Sequence, residues 1–164
     1  MITFLKTQSR FVSCSFGVLI MSLFLISCEK ELLFETYAPI ADKSWSADKP
    51  LEFAVKVLSD SNTYNIYLNI RNSHDYKFSN LYLFLETTLP NGNSDMDTIE
   101  CELADSHGRW LGSGLGDLHD NRILFAENVR FKYKGTYKFK FTQGMRINPL
   151  YGISDFGMRI EKNK

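Results

Sequence analysis

From Leu51 onward, hydrophobic residues recur at every second position, and that period restricts the chain to strands. Leu51, Phe53, Val55 and Val57 share one face, with Glu52 and Lys56 on the other. Tyr64, Ile66, Leu68 and Ile70 repeat the pattern against Asn65, Tyr67, Asn69 and Arg71. Successive side chains of a strand point to opposite faces, so this alternation turns one face to a core and the other to water. Leu81 to Leu85 is apolar at both parities, which predicts a central strand buried on both sides. Asp97 to Leu103 alternates again, Arg122 to Phe125 is a short apolar piece, and Ser154, Phe156, Met158 and Ile160 share a face in a last strand. Between them Val129, Phe131, Tyr133, Tyr137, Phe139 and Phe141 oppose Arg130, Lys132, Lys134, Lys138 and Lys140, with Gly135 as a hairpin tip or a kink.

The breaks between these runs are turn sequences, Ser59-Asp60-Ser61-Asn62 and Pro90-Asn91-Gly92-Asn93. No stretch after residue 28 keeps a helical period, and the 13 Phe and 8 Tyr add to a strand-forming composition. About seven or eight strands at this spacing predict an all-β fold, a two-sheet antiparallel β-sandwich of immunoglobulin-like or jelly-roll topology. Trp45 and Pro50 mark where it begins, so the domain is expected over residues 49–164.

The first residues follow a different logic. Lys6 and Arg10 precede an apolar run from Phe11 to Ile26, too short for a spanning helix of about 20 residues. The run ends in Leu25-Ile26-Ser27-Cys28, an aliphatic residue, then a small residue directly before a cysteine. This order resembles the lipobox of bacterial lipoproteins. It implies that residues 1–27 are a signal peptide removed at Ser27, and that Cys28 carries the lipid. Residues 28–48, with Pro39 and no periodicity, read as a tether to the membrane. Glu29 after the cysteine points to the outer membrane of the cell envelope. Cys14 leaves with the signal and Cys28 is acylated, so Cys101 is left without a disulfide partner. Cys101 shares the apolar parity of Ile99 and Leu103 and is expected in the core.

Charge and motifs limit the chemistry. Nineteen basic residues balance nineteen acidic ones, so the chain lacks the electrostatic footprint of a nucleic-acid binder. Gly112, Gly114 and Gly116 are spaced by two with no Lys-Ser/Thr after them, unlike a phosphate loop. Period two would instead place them with Trp110 on one bare face of an extended segment, a surface for a ring, another backbone or a partner. His107 and His119, with Asp105, Asp117 and Asp120, lack the fixed spacing of metal ligands. A Ser113, histidine and Asp117 triad has no nucleophile elbow around it. No metal, cofactor or catalytic residue is therefore assigned. The basic parity from Arg130 to Lys140 reads as a solvated sheet face, or as a contact for anionic headgroups or an acidic partner.

Three ordered stretches carry a family resemblance. The first is Tyr64-Asn65-Ile66-Tyr67-Leu68-Asn69-Ile70-Arg71-Asn72, continuing to Tyr76 and Asn80-Leu81-Tyr82. The second is Asp97-Thr98-Ile99 and Leu103-Ala104-Asp105, then Gly108-Arg109-Trp110-Leu111-Gly112-Ser113-Gly114-Leu115-Gly116. The third is Gly144-Met145-Arg146, Leu150, Gly152-Ile153 and Asp155-Phe156-Gly157-Met158-Arg159-Ile160. After a lipobox, this set resembles the gliding motility lipoprotein GldH family. The resemblance implies a lipid-anchored, non-enzymatic accessory of a gliding apparatus, bound to the membrane through Cys28 and to other envelope or motility proteins. Trp110, Gly112, Gly114 and Gly116 are the candidate interaction surface. The alternative is a glycan-binding sandwich at the cell surface, stacking sugars on Trp110 or Tyr151.

Overall fold

The computed structural model describes residues 31–114 and 116–163; residues 1–30, including Cys28 and the signal-peptide assignment, lie outside it. Ten strands are present among the described residues. They are β1 (Leu32–Pro39), β2 (Ser44–Trp45), β3 (Leu51–Val57), β4 (Tyr64–Ser73), β5 (Asn80–Thr88), β6 (Ser94–Glu102), β7 (Leu118–Val129), β8 (Gly135–Gln143), β9 (Leu150–Tyr151) and β10 (Ile153–Lys162). One four-stranded sheet has the order β1-β10-β4-β7 and the other β3-β8-β5-β6, with β2 and β9 forming a small separate ladder. All pairings are antiparallel.

This order decides between the two expected topologies. Leaving out the two-residue strands, the first long strand pairs with the last (β1·β10), the second with the second-last (β3·β8), then β4·β7 and β5·β6. A long antiparallel hairpin folded over on itself gives this nested pairing, and the result is a jelly roll.

The period-two residues supply the core. Phe53, Val55 and Val57 of β3, Leu81, Leu83 and Leu85 of β5, and Tyr137, Phe139 and Phe141 of β8 are buried. So are Leu68 and Ile70 of β4 and Phe156, Met158 and Ile160 of β10. At the centre the rings of Phe141 and Phe156 lie 4.8 Å apart, and Phe53 approaches both. Trp45 packs on Phe156 from the side, with its indole N–H donated to the Lys49 carbonyl.

Three expectations need correction. Residues 28–48 are not all tether: Leu32–Pro39 is an edge strand running along β10 from Leu32↔Glu161 to Pro39↔Asp155. The sandwich therefore starts near residue 32, not 49. Pro39 closes β1 at a strand end, where its missing N–H costs no ladder bond. Second, β5 is central in its sheet but buried on one face only; Tyr82 and Phe84 point to solvent. Third, the run from Val129 to Phe141 is two strands in different sheets. Residues 130–134 cross between the sheets, with Phe131 wedged against Tyr64 and Tyr137. Gly135, at φ 133°, starts β8 after that crossing.

Cys101 lies in β6, fully buried against the core. Burial, helped by the Glu100 charge, pushes its thiol up to about 12. A thiol reagent should leave the native protein unmodified and react only on unfolding, and Cys101→Ala should cost about 1 kcal/mol. Rapid native-state labelling would contradict the buried position.

Candidate functional site

The irregular stretch between β6 and β7 forms a compact excursion at the end of the sandwich away from Leu32. Its base is tied to the β5 entrance, where the N–H groups of Leu103 and Ala104 both reach the Ser79 carbonyl. Ala104 and Trp110 face each other in an antiparallel bridge. Asp105 holds the tip. Its carboxylate accepts the backbone N–H groups of His107 and Arg109 at 2.9 Å and the Arg109 Nε–H at 2.7 Å. The Arg109 backbone and side chain, then His107, hold the Asp105 carboxyl below the ordinary carboxylate range. The chain then returns to β7 through paired backbone bonds between Ser113 and Asp120.

Trp110 is half-buried by rings from separate segments. His119 of β7 lies nearly parallel to it, with centroids 5.5 Å apart; Tyr76 and His74 approach at 6.4 and 6.5 Å. His74 and His119 share a hydrogen bond of 3.4 Å between ring nitrogens. Tyr76 donates its hydroxyl to the Asn80 carbonyl at 2.7 Å, and burial raises its phenol pKa. Trp110 is thus part of the packing that fixes the excursion and is not an open stacking platform, whereas Tyr151 is well exposed.

The three glycines do not line one face. Gly112 lies on the Asn121 carboxamide, which a Cβ would meet at 2.8 Å. A Cβ on Gly114 would come within 1.9 Å of the Leu118 carbonyl oxygen, and Gly116 turns at φ +74° facing open space. The expected extended face is replaced by a tight return because backbone meets backbone at Gly114. Gly114→Val should open the Ser113–Asp120 pairing and cost about 2 kcal/mol or more in denaturant unfolding. An unchanged unfolding midpoint would show that the return is not packed this way.

The histidines also pair differently from the sequence expectation. His119 joins His74 and Trp110, while the contacts of His107 are local, to Ser106 and Asp105. Among the described residues, no three His, Cys, Asp or Glu side chains converge as metal ligands. Ser113 meets Asp120 through the backbone alone.

A polar surface adjoins the excursion on the outer face of the β1-β10-β4-β7 sheet. Sequence reasoning missed it because its members come from four strands. Arg71 Nε donates to Asp120 at 2.5 Å, and its Nη1 lies 3.5 Å from Asp155. Arg122 donates to the Asn69 Oδ1 at 3.2 Å, and Arg159 bridges Glu35 and Glu161. Tyr37 crosses the bare position at Gly157, where a Cβ would meet its ring at 2.8 Å. Tyr37, Asn69, Arg71, Ser113, Asp120 and Arg122 line a cavity of about 350 Å³. Asn69 is buried, and its Nδ2 has no hydrogen-bond partner among the described residues. An open groove of about 620 Å³ continues past Ser113 and Asp120 toward Glu100, Glu102 and Leu111. Guanidinium and amide donors beside carboxylate acceptors suit a hydrogen-bonding partner surface.

Comparison with known proteins gives the same family from independent directions. Residues 32–160 match the GldH lipoprotein family. The chain is 36% identical over 144 residues to a gliding motility lipoprotein GldH homolog of Christiangramia forsetii, covering 84% of this chain and 88% of that one. It is 32% identical over 154 residues to the gliding motility lipoprotein GldH of Flavobacterium johnsoniae, covering 89% and 95%. A solved structure, the infectious bursal disease virus VP2 subviral particle, aligns with a TM-score of 0.28 at 13% identity, over 78% of this chain and 33% of that one. With the core, the excursion and all but the last two residues of β10 inside the matched segment, this chain belongs to the GldH lipoprotein family.

Proposed function

We propose that the chain is a lipid-anchored accessory of a gliding motility apparatus, attached through Cys28 to the outer membrane and acting by binding other envelope or motility proteins without catalysis. The relatives named for gliding support the setting. The observation that carries the binding mode is the β6–β7 excursion. It is braced from below by Trp110, His119 and Asp105, and it presents Leu111, 57% exposed, beside the groove toward β6. A rigid base under an exposed apolar side chain lowers the entropy cost of docking.

Leu111 tests this because its backbone is tied to Leu103 while its side chain is mostly exposed at the groove. Leu111→Asp should leave thermal unfolding and cellular abundance unchanged and abolish colony spreading in a gliding host. Normal spreading at normal abundance would remove the excursion from the binding surface.

A further inference from the structure

The N-terminal edge strand brings the domain down onto the bilayer. If Cys28 is acylated, three residues separate it from Leu32, the first residue of β1. Four residue steps reach at most about 14 Å when fully extended. The headgroup layer is itself about 5–8 Å deep, so the entry end of β1 cannot rise far above it. Pairing fixes what surrounds that end. Lys162 N–H donates to Glu31, Asn163 N–H to Thr63, and Tyr64 lies opposite Val129. The loops 58–63 and 130–134 both cross between the sheets here, with Lys134 near Asp60 at 3.7 Å.

The chemistry of this end suits lipid. Leu58 projects from the β3–β4 loop with 71% of its surface exposed. Arg130 and Lys132 are exposed and have no carboxylate partner among the described residues, whereas Lys134 and Lys162 face Asp60 and Glu31. An apolar side chain at the same end as two exposed cations, Arg130 and Lys132, the latter 5.4 Å over the Tyr133 ring, matches a surface of acyl chains beneath anionic headgroups. We infer that the end of the sandwich formed by Leu58, Arg130 and Lys132 docks on an anionic phospholipid surface, holding the β6–β7 excursion at the far end away from the membrane. This rests on the acylation of Cys28.

The lipidated protein can be tested in vesicles containing phosphatidylglycerol and a headgroup-attached acceptor dye. Ser61→Cys and His107→Cys variants each carry a donor fluorophore; Cys28 is blocked by lipid and Cys101 is buried. The ten-residue β10 spans about 33 Å, so transfer from position 61 should exceed that from position 107 by about threefold or more. Adding Arg130→Glu and Lys132→Glu should reduce transfer from position 61. Equal transfer from the two positions, with palmitate labelling intact, overturns the docking and leaves the anchor standing. A difference that survives both Glu substitutions removes the two cations from the contact. Absence of palmitate on the wild-type chain overturns the anchor and the docking together.

Discussion

Phe141→Ala is expected to lower stability by about 3–5 kcal/mol, the ordinary range for a fully buried phenylalanine cut to alanine. Phe141 is on β8, an inner strand of the second sheet, and its ring meets Phe156 of the facing sheet at 4.8 Å and Phe53 of its own at 5.9 Å. Truncation leaves a hole where the two sheets meet, and close-packed rings on both sides limit how far the hole can collapse. The melting temperature should fall by about 10–20 °C for a domain of this size. Tyr151→Ala, at an exposed ring, should stay within about 0.5 kcal/mol of the wild type. Similar melting of the two variants would mean that Phe141 is not at the inter-sheet contact.

Cys28→Ala should release the protein from membranes or leave it as uncleaved precursor. A thioether-linked diacylglyceryl group with an amide-linked chain at Cys28 would supply three acyl chains, beyond the two signals that stable anchoring requires. The alanine variant offers no sulfur for the transfer, so metabolic palmitate labelling should vanish and the chain should accumulate as soluble or uncleaved protein. Its domain should fold normally, because the sandwich begins at Leu32. Undiminished palmitate incorporation in the variant would place the lipid elsewhere.

The fold was legible where burial was one-sided. Leu68 and Ile70, and Phe156, Met158 and Ile160, alternate in sequence because they alternate between core and outer face. β1 left no such trace. It is an edge strand whose residues Leu32 to Pro39 are all partly or wholly exposed, so no parity is reserved for apolar side chains. Leu81 to Leu85 misled for the opposite reason: Tyr82 and Phe84 are apolar yet sit on the outer face, where apolar area is tolerated. Strand order was hidden because β1 pairs with β10 across almost the whole chain, and a one-strand pattern carries no information about its neighbour.

The candidate surface was less legible than the core. The sequence singled out the segment around Trp110 but gave its glycines a shared role, and only the approach of Gly114 to the Leu118 carbonyl reveals a tight return. His74 was passed over because its partner His119 is 45 positions away. The same holds for Arg71 with Asp120 and for Arg159 with Glu35, which meet through strand pairing. Local spacing reports periodic burial well; a polar network assembled across four strands has no local spacing to report.

The antiparallel pairing of β1 with β10 also sets how the domain bears mechanical load. A membrane anchor before Leu32 and a partner gripping the far end would pull β1 along its own axis. The rungs from Leu32↔Glu161 to Pro39↔Asp155 lie across that axis, so they would be strained together in shear instead of parting one after another like a zipper. β10 in turn is stitched to β4 along its length, passing tension into the middle of the sheet. An attachment point that enters through this strand can transmit a sideways tug from a moving envelope without first unravelling the domain that receives it.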